Sequence, residues 1–415
     1  MPANSIITPK KHATPMKAMI ASVSGYAMDG FDLLILGFIL PAISSELGLT
    51  ASQSGSLVTW TLIGAVIGGV IFGPISDRFG RIRVLTFTIL MFSLFTGLCA
   101  VAQGYWDLLT YRTLAGVGLG GEFGIGMALI AEAWPIEKRN RASAYVGMGW
   151  QLGVLMAAIL TPLLLGTIGW RGMFLIGLVP ALASFLIRRS MGEPEEFVKQ
   201  SSKQQQEPLL TRLALLFKDR ATRRCSIGIL ILCSVQNFGY YGLMIWMPSY
   251  LSKNFGFSLT KSGMWTAVTV IGMTFGIWLF GALSDRFARW KIFVIYQVGA
   301  VVMVVCYAQL KDPTAMLFAG AVMGMFVNGM IGGYGGLISD SYPVNARATA
   351  QNVLFNLGRG VGGFGPLVIG MLASQIAFTA AITLLAAIYL LDIYATLFLL
   401  PKAQSKKEDT LGAIG

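Results

Sequence analysis

The chain has 415 residues, of which 55% are hydrophobic and 12% are charged, and its formal net charge is +12. Soluble proteins carry roughly 25% charged residues, so this composition excludes a soluble globular protein and indicates a chain whose main solvent is lipid. The basic residues are scattered over short segments between apolar runs. This distribution argues against a nucleic-acid partner and favours contact with anionic membrane lipid.

Long apolar runs follow one another along the whole chain. Because about 20 apolar residues cross a bilayer as a helix, they predict an all-α membrane protein with twelve membrane-spanning helices. We predict an N-terminal tail at 1–16, a six-helix half at 17–190, a polar linker at 191–222, a second six-helix half at 223–401 and a C-terminal tail at 402–415. The predicted spans are 18–43, 54–75, 84–103, 106–131, 142–166, 170–190, 224–250, 261–284, 290–309, 314–339, 348–373 and 377–400.

Basic residues mark one side of this topology. The tails, the linker and the loops after the second, fourth, eighth and tenth spans hold about 25 of the 31 Lys and Arg residues. Loops rich in Lys and Arg stay in the cytoplasm, so both termini are predicted to be cytoplasmic, with the protein in an inner membrane.

Two short signatures recur at one offset. GPISDRFGR at 73–81 returns as GALSDRFAR at 281–289, an offset of 281 − 73 = 208. The same offset relates EAWP at 132–135, with Arg139, to DSYP at 340–343, with Arg347. Two signatures at one spacing indicate a duplicated unit, and repeats of apolar helices are how secondary transporters are built.

The repeated loops resemble the hallmark of the major facilitator superfamily, where such a loop joins the second and third helices of each half. DGFD at 29–32 and GLGGE at 118–122 are similar to its proton-coupled organic-acid branch, which includes sialate, aromatic-acid and niacin carriers. The resemblance implies two pseudo-symmetric six-helix halves and transport by alternating access.

In that family the loop charges hold helix ends together in one conformation and release them in another. The alternative is that these charges only set the topology, since positive loops need no other cause. The residues to which the resemblance gives this gating role are Gly73, Asp77, Arg78, Arg81, Glu132, Arg139, Asp285, Arg286, Asp340 and Arg347.

Ionisable residues inside the spans are expected to be functional, because a charge at the bilayer centre is costly. Asp29 and Asp32 are three residues apart near the middle of the first span, so they share one helix face. Two carboxylates this close cannot both be ionised cheaply, so one is expected to hold a proton. The alternative is that one Asp only hydrogen-bonds to neighbouring groups.

Glu122 and Arg112 lie in the fourth span and join Asp29 and Asp32 as predicted proton-coupling residues. For Arg112 the assignment comes from the family's RxxxGxG motif. The alternative is that Arg112 extends its charge to the outer membrane interface.

Arg359 lies about twelve residues into the eleventh span, among Gly358, Gly360, Gly362 and Gly363, which we expect to leave space around the guanidinium. Arginine keeps its proton, and its planar fork matches a carboxylate, so Arg359 predicts an anion site. The alternative is a fixed ion pair with Asp29, Asp32 or Glu122, or competition between that carboxylate and the substrate.

The repeat extends the predicted cavity. Asp29, Asp32 and Arg359 correspond at the offset of 208 to Asn237, Tyr240 and Gln151. Each polar side chain is equally consistent with an interhelical hydrogen bond. The predicted substrate contacts are Arg359, Gln151, Gln236, Asn237, Tyr240, Tyr241, Asn328 and Asn356. This assignment divides the charges, with acids in the first half and the arginine in the second.

Two glycine strings, GVGLGG at 116–121 and GRGVGG at 358–363, match a dinucleotide-binding pattern. Such a site needs a preceding strand, whereas both strings lie inside apolar spans. Gly116, Gly120 and Gly124 repeat every four residues, which is typical of close helix packing.

These features predict a monomeric symporter that takes up a small organic anion, such as sialic acid, an aromatic acid or niacin, together with protons. The four cysteines lack metal-ligand spacing and the single histidine, His12, lies in the tail, so no metal, cofactor or enzymatic activity is predicted. An exporter or exchanger on the same fold and a membrane sensor for a metabolite are the alternatives.

Overall fold

The computed structural model describes residues 14–134, 139–189, 191–193, 209–284, 286–342, 344–376 and 378–401. Residues 1–13 and 402–415 of the predicted tails and 194–208 of the predicted linker therefore lie outside the described residues. The described chain forms helices α1 Pro15–Leu47, α2 Ala51–Phe79, α3 Arg81–Cys99, α4 Tyr105–Ala133, α5 Arg139–Ile176, α6 Leu178–Arg189, α7 Leu209–Leu215, α8 Arg220–Phe255, α9 Leu259–Ser284, α10 Arg289–Gln309, α11 Pro313–Gly329, α12 Ile331–Ser341, α13 Val344–Gly362, α14 Gly365–Ala373 and α15 Phe378–Phe398.

Capping residues set the helix boundaries. Thr50 and Gln53 form a capping box at the start of α2, with each side chain accepting a hydrogen bond from the other residue's backbone N–H at 3.1 and 2.9 Å. The helices α1 and α8 end at Gly48 and Gly256, whose φ angles of 65° and 63° are left-handed and suit glycine. Short turns therefore separate long apolar helices.

Eleven helical segments of the described chain are long and apolar enough to cross a membrane. The predicted sixth span, 170–190, is divided between two helices in the structure. Gly169, whose φ of 66° breaks the helix, lies at the predicted boundary between the fifth and sixth spans. A second interruption at Gly177 separates residues 170–176 from α6, and a count of apolar residues does not detect it. The predicted eleventh span is also interrupted, before α14, where Pro366 lacks the N–H that a continuous helix needs.

Helices α2 and α4 pack at backbone distance. A Cβ added to Gly116 or Gly120 of α4 would collide with the backbone carbonyl oxygens of Thr61 and Ala65 of α2. Only glycine allows this approach, so the prediction that the first glycine string serves helix packing is confirmed.

Buried apolar side chains form two main clusters, one drawn mostly from α1–α6 and the other mostly from α7–α15. The two sets of helices meet where α1 contacts α8, where α2 contacts α13 and α14, and where α5 contacts α9. The predicted all-α membrane architecture is confirmed, and one of the buried ion pairs described next joins its two halves.

Candidate functional site

A buried ion pair joins the two halves. Arg359 of α13 and Asp29 of α1 are 2% and 0% exposed, and Arg359 Nη2 lies 3.1 Å from Asp29 Oδ2. Arg359 Nε also donates to the hydroxyl of Tyr241 on α8 at 3.0 Å. Asp29 Oδ1 has no hydrogen-bond partner among the described residues. Asp29 therefore contacts Arg359 through only one of its two carboxylate oxygens.

The glycines around Arg359 do not leave space around the guanidinium, so that prediction is wrong. A Cβ on Gly358 or Gly362 would collide with side chains of α8, and one on Gly360 or Gly363 would press on side chains of α2. These small residues let α13 fit between α2 and α8. The close fit brings Arg359 within reach of α1.

Aromatic side chains surround the Arg359–Asp29 pair. The Trp150 ring of α5 lies with its centroid 5.0 Å from Arg359 Cζ, within the range of a cation–π interaction. The Trp150 indole N–H donates to the Tyr240 hydroxyl at 2.8 Å. Neighbouring rings connect the two halves at centroid distances of 4.8–6.3 Å. We call this set the aromatic cluster, and its members are Tyr26, Phe123, Trp150, Tyr240, Tyr241 and Phe355.

Four members of the aromatic cluster were not predicted: Tyr26, Phe123, Trp150 and Phe355. Trp150 directly precedes Gln151, the position that the repeat relates to Arg359, and this was the available signal. Aromatic residues are too frequent in membrane spans for their type alone to mark a site.

Asp32 has its own arginine. Arg112 Nη1 donates to Asp32 Oδ1 at 2.9 Å, and Arg112 Nη2 lies 2.7 Å from Asp32 Oδ2. Arg112 is fully buried and also donates to Thr61 Oγ1 at 3.3 Å, so it does not extend to the membrane interface. Asp29 and Asp32 share a helix face as predicted, yet each faces a different arginine.

Glu122 binds an arginine that the sequence alone did not identify. Arg188 of α6 is fully buried and donates through Nη1 and Nη2 to Glu122 Oε1 and Oε2 at 2.9 and 2.6 Å. It also donates to the backbone oxygens of Leu85 and Ala21, and Thr88 donates to Glu122 Oε1. The first half therefore contains a second buried arginine besides Arg112. Arg188 lies just before the predicted polar linker. In the sequence it therefore looks like one of the basic residues that mark the cytoplasmic side.

The other predicted substrate contacts are buried and mainly serve helix contacts. Gln236 donates to Asn328 at 2.8 Å, and Asn237 donates to a backbone oxygen of its own helix. Asn356 packs beside Gly69 of α2, while Gln151 Oε1 lacks a hydrogen-bond partner in the described chain. Of the other predicted substrate contacts, Tyr240 and Tyr241 belong to the aromatic cluster beside Arg359. Tyr241 accepts a hydrogen bond from Arg359, and Tyr240 accepts one from Trp150.

Among their described residues, the predicted gating loops contain an ion pair in each half, at positions related by the repeat. Arg81 Nη2 lies 2.9 Å from Glu132 Oε1, and Arg289 Nη1 lies 2.8 Å from Asp340 Oδ2. Gly73 has open space where a side chain would stand, and Arg286 is exposed. The side chains of Asp77, Arg78, Arg139 and Arg347, and all of Asp285, lie outside the described residues.

Comparison with known proteins adds independent findings. The model of the Major Facilitator Superfamily matches residues 23–313 and 238–414. A Haemophilus influenzae protein named for metabolite transport is 61% identical over 407 residues, covering 97% of this chain and 100% of its own. The Escherichia coli sialic acid transporter NanX is 28% identical, covering 89% of this chain and 93% of its own.

Among solved structures, the D-xylose–proton symporter superposes with a TM-score of 0.80 over 95% of this chain and 100% of that one. Its sequence identity is 17%, so this likeness concerns the fold alone.

Proposed function

The chain belongs to the major facilitator superfamily, and on that premise we propose that it takes up a small organic anion together with protons. It is a multi-pass membrane transporter of metabolites related to organic-acid transporters, and not an enzyme. The observation that carries the proposal is the ion pair between Arg359 and Asp29, buried where the two halves meet.

The geometry of this pair favours exchange of one carboxylate for another. Asp29 contacts Arg359 through one oxygen at 3.1 Å, and its second oxygen has no hydrogen-bond partner among the described residues. A free carboxylate can approach a guanidinium with both oxygens, and such bidentate pairs are the stronger ones. A substrate anion can therefore compete with Asp29 for Arg359.

Displacement of Asp29 by substrate requires a proton. Arg359 and Asp29 together are neutral, and an incoming monovalent anion would leave one uncompensated negative charge in a buried site. Burial of an unpaired charge is costly, and a displaced carboxylate avoids that cost by binding a proton. One proton per monovalent carboxylate then enters with the substrate, which is symport.

The other acids take later roles in this proposal. Asp32 and Glu122 each have both oxygens facing an arginine of their own half, so neither is as easily released as Asp29. We assign the first proton to Asp29, and Asp32 with Arg112 and Glu122 with Arg188 join proton coupling when the helices that hold their arginines move.

The aromatic cluster suits the apolar part of the substrate. Trp150 already contacts the Arg359 guanidinium, and rings from both halves adjoin it. A carboxylate on Arg359 would place the substrate's flat or ring-shaped body among these side chains. Because the rings come from both halves, separation of the halves on either side would expose the bound substrate.

The proposal also covers the orientation of the protein in the membrane. The Lys- and Arg-rich loops support an orientation with both termini in the cytoplasm and the protein in the inner membrane. The pairs Arg81–Glu132 and Arg289–Asp340 then lie at the cytoplasmic ends of their helices and bias the conformational equilibrium without contacting substrate.

The test is flux in proteoliposomes. A thermal-shift screen of sialic acid, niacin and aromatic acids selects the substrate, and uptake is then measured under an imposed inward proton gradient. We expect accumulation that a protonophore abolishes and that acidification of the outside increases. Accumulation unaffected by the protonophore would reject symport. Efflux driven by the same gradient would favour an exporter, and binding without flux a sensor.

A further inference from the structure

The second half contains a buried acid that the proposed transport cycle does not use. Asp392 of α15 is 0% exposed, and neither of its carboxylate oxygens has a hydrogen-bond partner in the described chain. It takes part in none of the ion pairs between described residues. Every other buried acid of the described spans that we have named faces an arginine.

The groups that face Asp392 carry no charge of opposite sign. Cys233 of α8, a helix packed on α15, and Tyr334 of α12 lie near enough to interact electrostatically with Asp392, and Tyr389 lies one turn earlier on α15. The Tyr334 hydroxyl donates to the backbone oxygen of Leu232 at 3.0 Å, so it is not directed to the carboxylate. Thiol and phenol groups are neutral at physiological pH.

The remaining helices packed on α15 add no cation. Helix α10 presents Gln297, whose amide donates to Thr396 one turn after Asp392 at 2.7 Å. Helix α14 contains no ionisable residue. Gln297 Oε1 and the Tyr389 hydroxyl also lack hydrogen-bond partners among the described residues.

An ionised carboxylate in this place would be buried without a cation and without a hydrogen bond. A group in that situation becomes neutral, because protonation removes the cost of burying a charge. We propose that Asp392 binds a proton in this conformation and forms a second proton site, in the second half, apart from the acids that face arginines. This inference does not rest on the proposed symport.

A sodium ion is the rival occupant. Sodium would need several oxygen ligands around the carboxylate. The groups named above are a thiol, two phenols and one amide, and no cluster of three or more His, Cys, Asp or Glu residues occurs among the described residues. The chemistry of these groups therefore favours a proton, and sodium is an outcome of the test.

Infrared spectroscopy of the full-length protein in lipid tests the proposal. The difference spectrum between parent and Asp392→Asn, which has the shape of the neutral acid, should contain a protonated carboxyl C=O band at neutral pH that shifts in D2O. The matched control Asp340→Asn removes an exposed acid of the same half and should leave that band unchanged. A difference spectrum showing an ionised carboxylate would overturn the proposal.

A second measurement uses thermal stability and Asp392→Ala. The parent should lose stability as pH rises, because ionisation of a buried, unpaired acid opposes folding, whereas both variants should lose this pH dependence. Equal pH dependence in parent and variants would contradict the proposal. So would loss of the C=O band when sodium chloride replaces choline chloride at constant pH, since that result assigns the site to sodium.

Discussion

In the first half, Arg112 binds Asp32 and Arg188 binds Glu122, at shortest distances of 2.7 and 2.6 Å, so each arginine has an acid from its own half. In the second half, Arg359 reaches across to Asp29, and Asp392 has no ion-pair partner in the described chain. Asp32 and Glu122 are thus neutralised within the first half, whereas Asp29 and Arg359 depend on the boundary between the halves and Asp392 has no ion-pair partner among the described residues.

The repeat does not extend to these charges. The positions 208 residues after Arg112 and Glu122 are Gly320 and Met330, and the position after Arg188 is Thr396. Duplication therefore preserved the helices and their loop ion pairs while the buried charges diverged. In the proposed cycle, the pair that exchanges its carboxylate is therefore the one that joins the halves, because its two members would separate when the halves move.

The largest effect is expected from breaking an internal pair of the first half. Arg188→Met leaves Glu122 buried without a cation, which costs about 3–5 kcal/mol. The thermal stability of the purified protein measures this loss, with Arg189→Met, at an exposed neighbour, as the control. The double variant with Glu122→Gln should recover most of the stability, and no recovery would show that the two residues do not act as a pair.

Breaking the pair between halves should affect binding more than folding. Arg359→Ala removes a charge-assisted interaction of about 1.5–3 kcal/mol, or roughly ten- to a hundredfold in affinity. Arg359→Lys keeps the charge but loses the planar fork and should bind weakly. Isothermal titration with the selected carboxylate measures both, with its methyl ester as the control ligand.

A fixed ion pair at Arg359 predicts a different result. If Arg359 only neutralised Asp29, the double variant Arg359→Ala with Asp29→Asn should bind the acid as tightly as the parent. That outcome would contradict the anion site while leaving the fold assignment intact.

Asp29→Asn should separate binding from proton coupling. The variant removes the competitor for Arg359, so substrate affinity should be equal to that of the parent or higher, and less dependent on pH. Accumulation driven by a proton gradient should disappear, while exchange of labelled for unlabelled substrate persists. Gradient-driven accumulation at the parent level would mean that another acid carries the proton. Asp312→Asn serves as the control, because Asp312 is an exposed N-cap residue outside the proposed site and asparagine also caps a helix.

The smallest effects belong to the loop pairs. Arg289 and Asp340 are 30% and 63% exposed, and an exposed ion pair is worth about 0–1 kcal/mol. Arg81 and Glu132 are 12% and 15% exposed, and Arg81 also donates to Ser76 at 2.7 Å. Thermal stability should therefore fall more for Arg81→Ala than for Arg289→Ala. Equal losses would mean that the halves do not differ at these loops.

Much of the architecture could be read from local sequence. Span length and hydropathy predict membrane helices because a bilayer core has a fixed thickness, and the shared offset of 208 predicts the two halves. Arg359 and Asp29 stand out for the same local reason, since a charge within an apolar run is costly. Asp392 is also a charged residue within an apolar run, the twelfth predicted span. The same reasoning could therefore have identified it from the sequence.

The sequence by itself determined the membrane class, the duplicated organisation and most of the ionisable residues inside the spans, because each depends on a residue and its immediate neighbours. The tertiary structure decided which acid faces which arginine, that Arg188 is buried, that Trp150 lies against Arg359, and that the glycines beside Arg359 fit α13 between α2 and α8. These depend on how distant helices rotate and approach one another, and helix rotation is set by packing across the whole bundle.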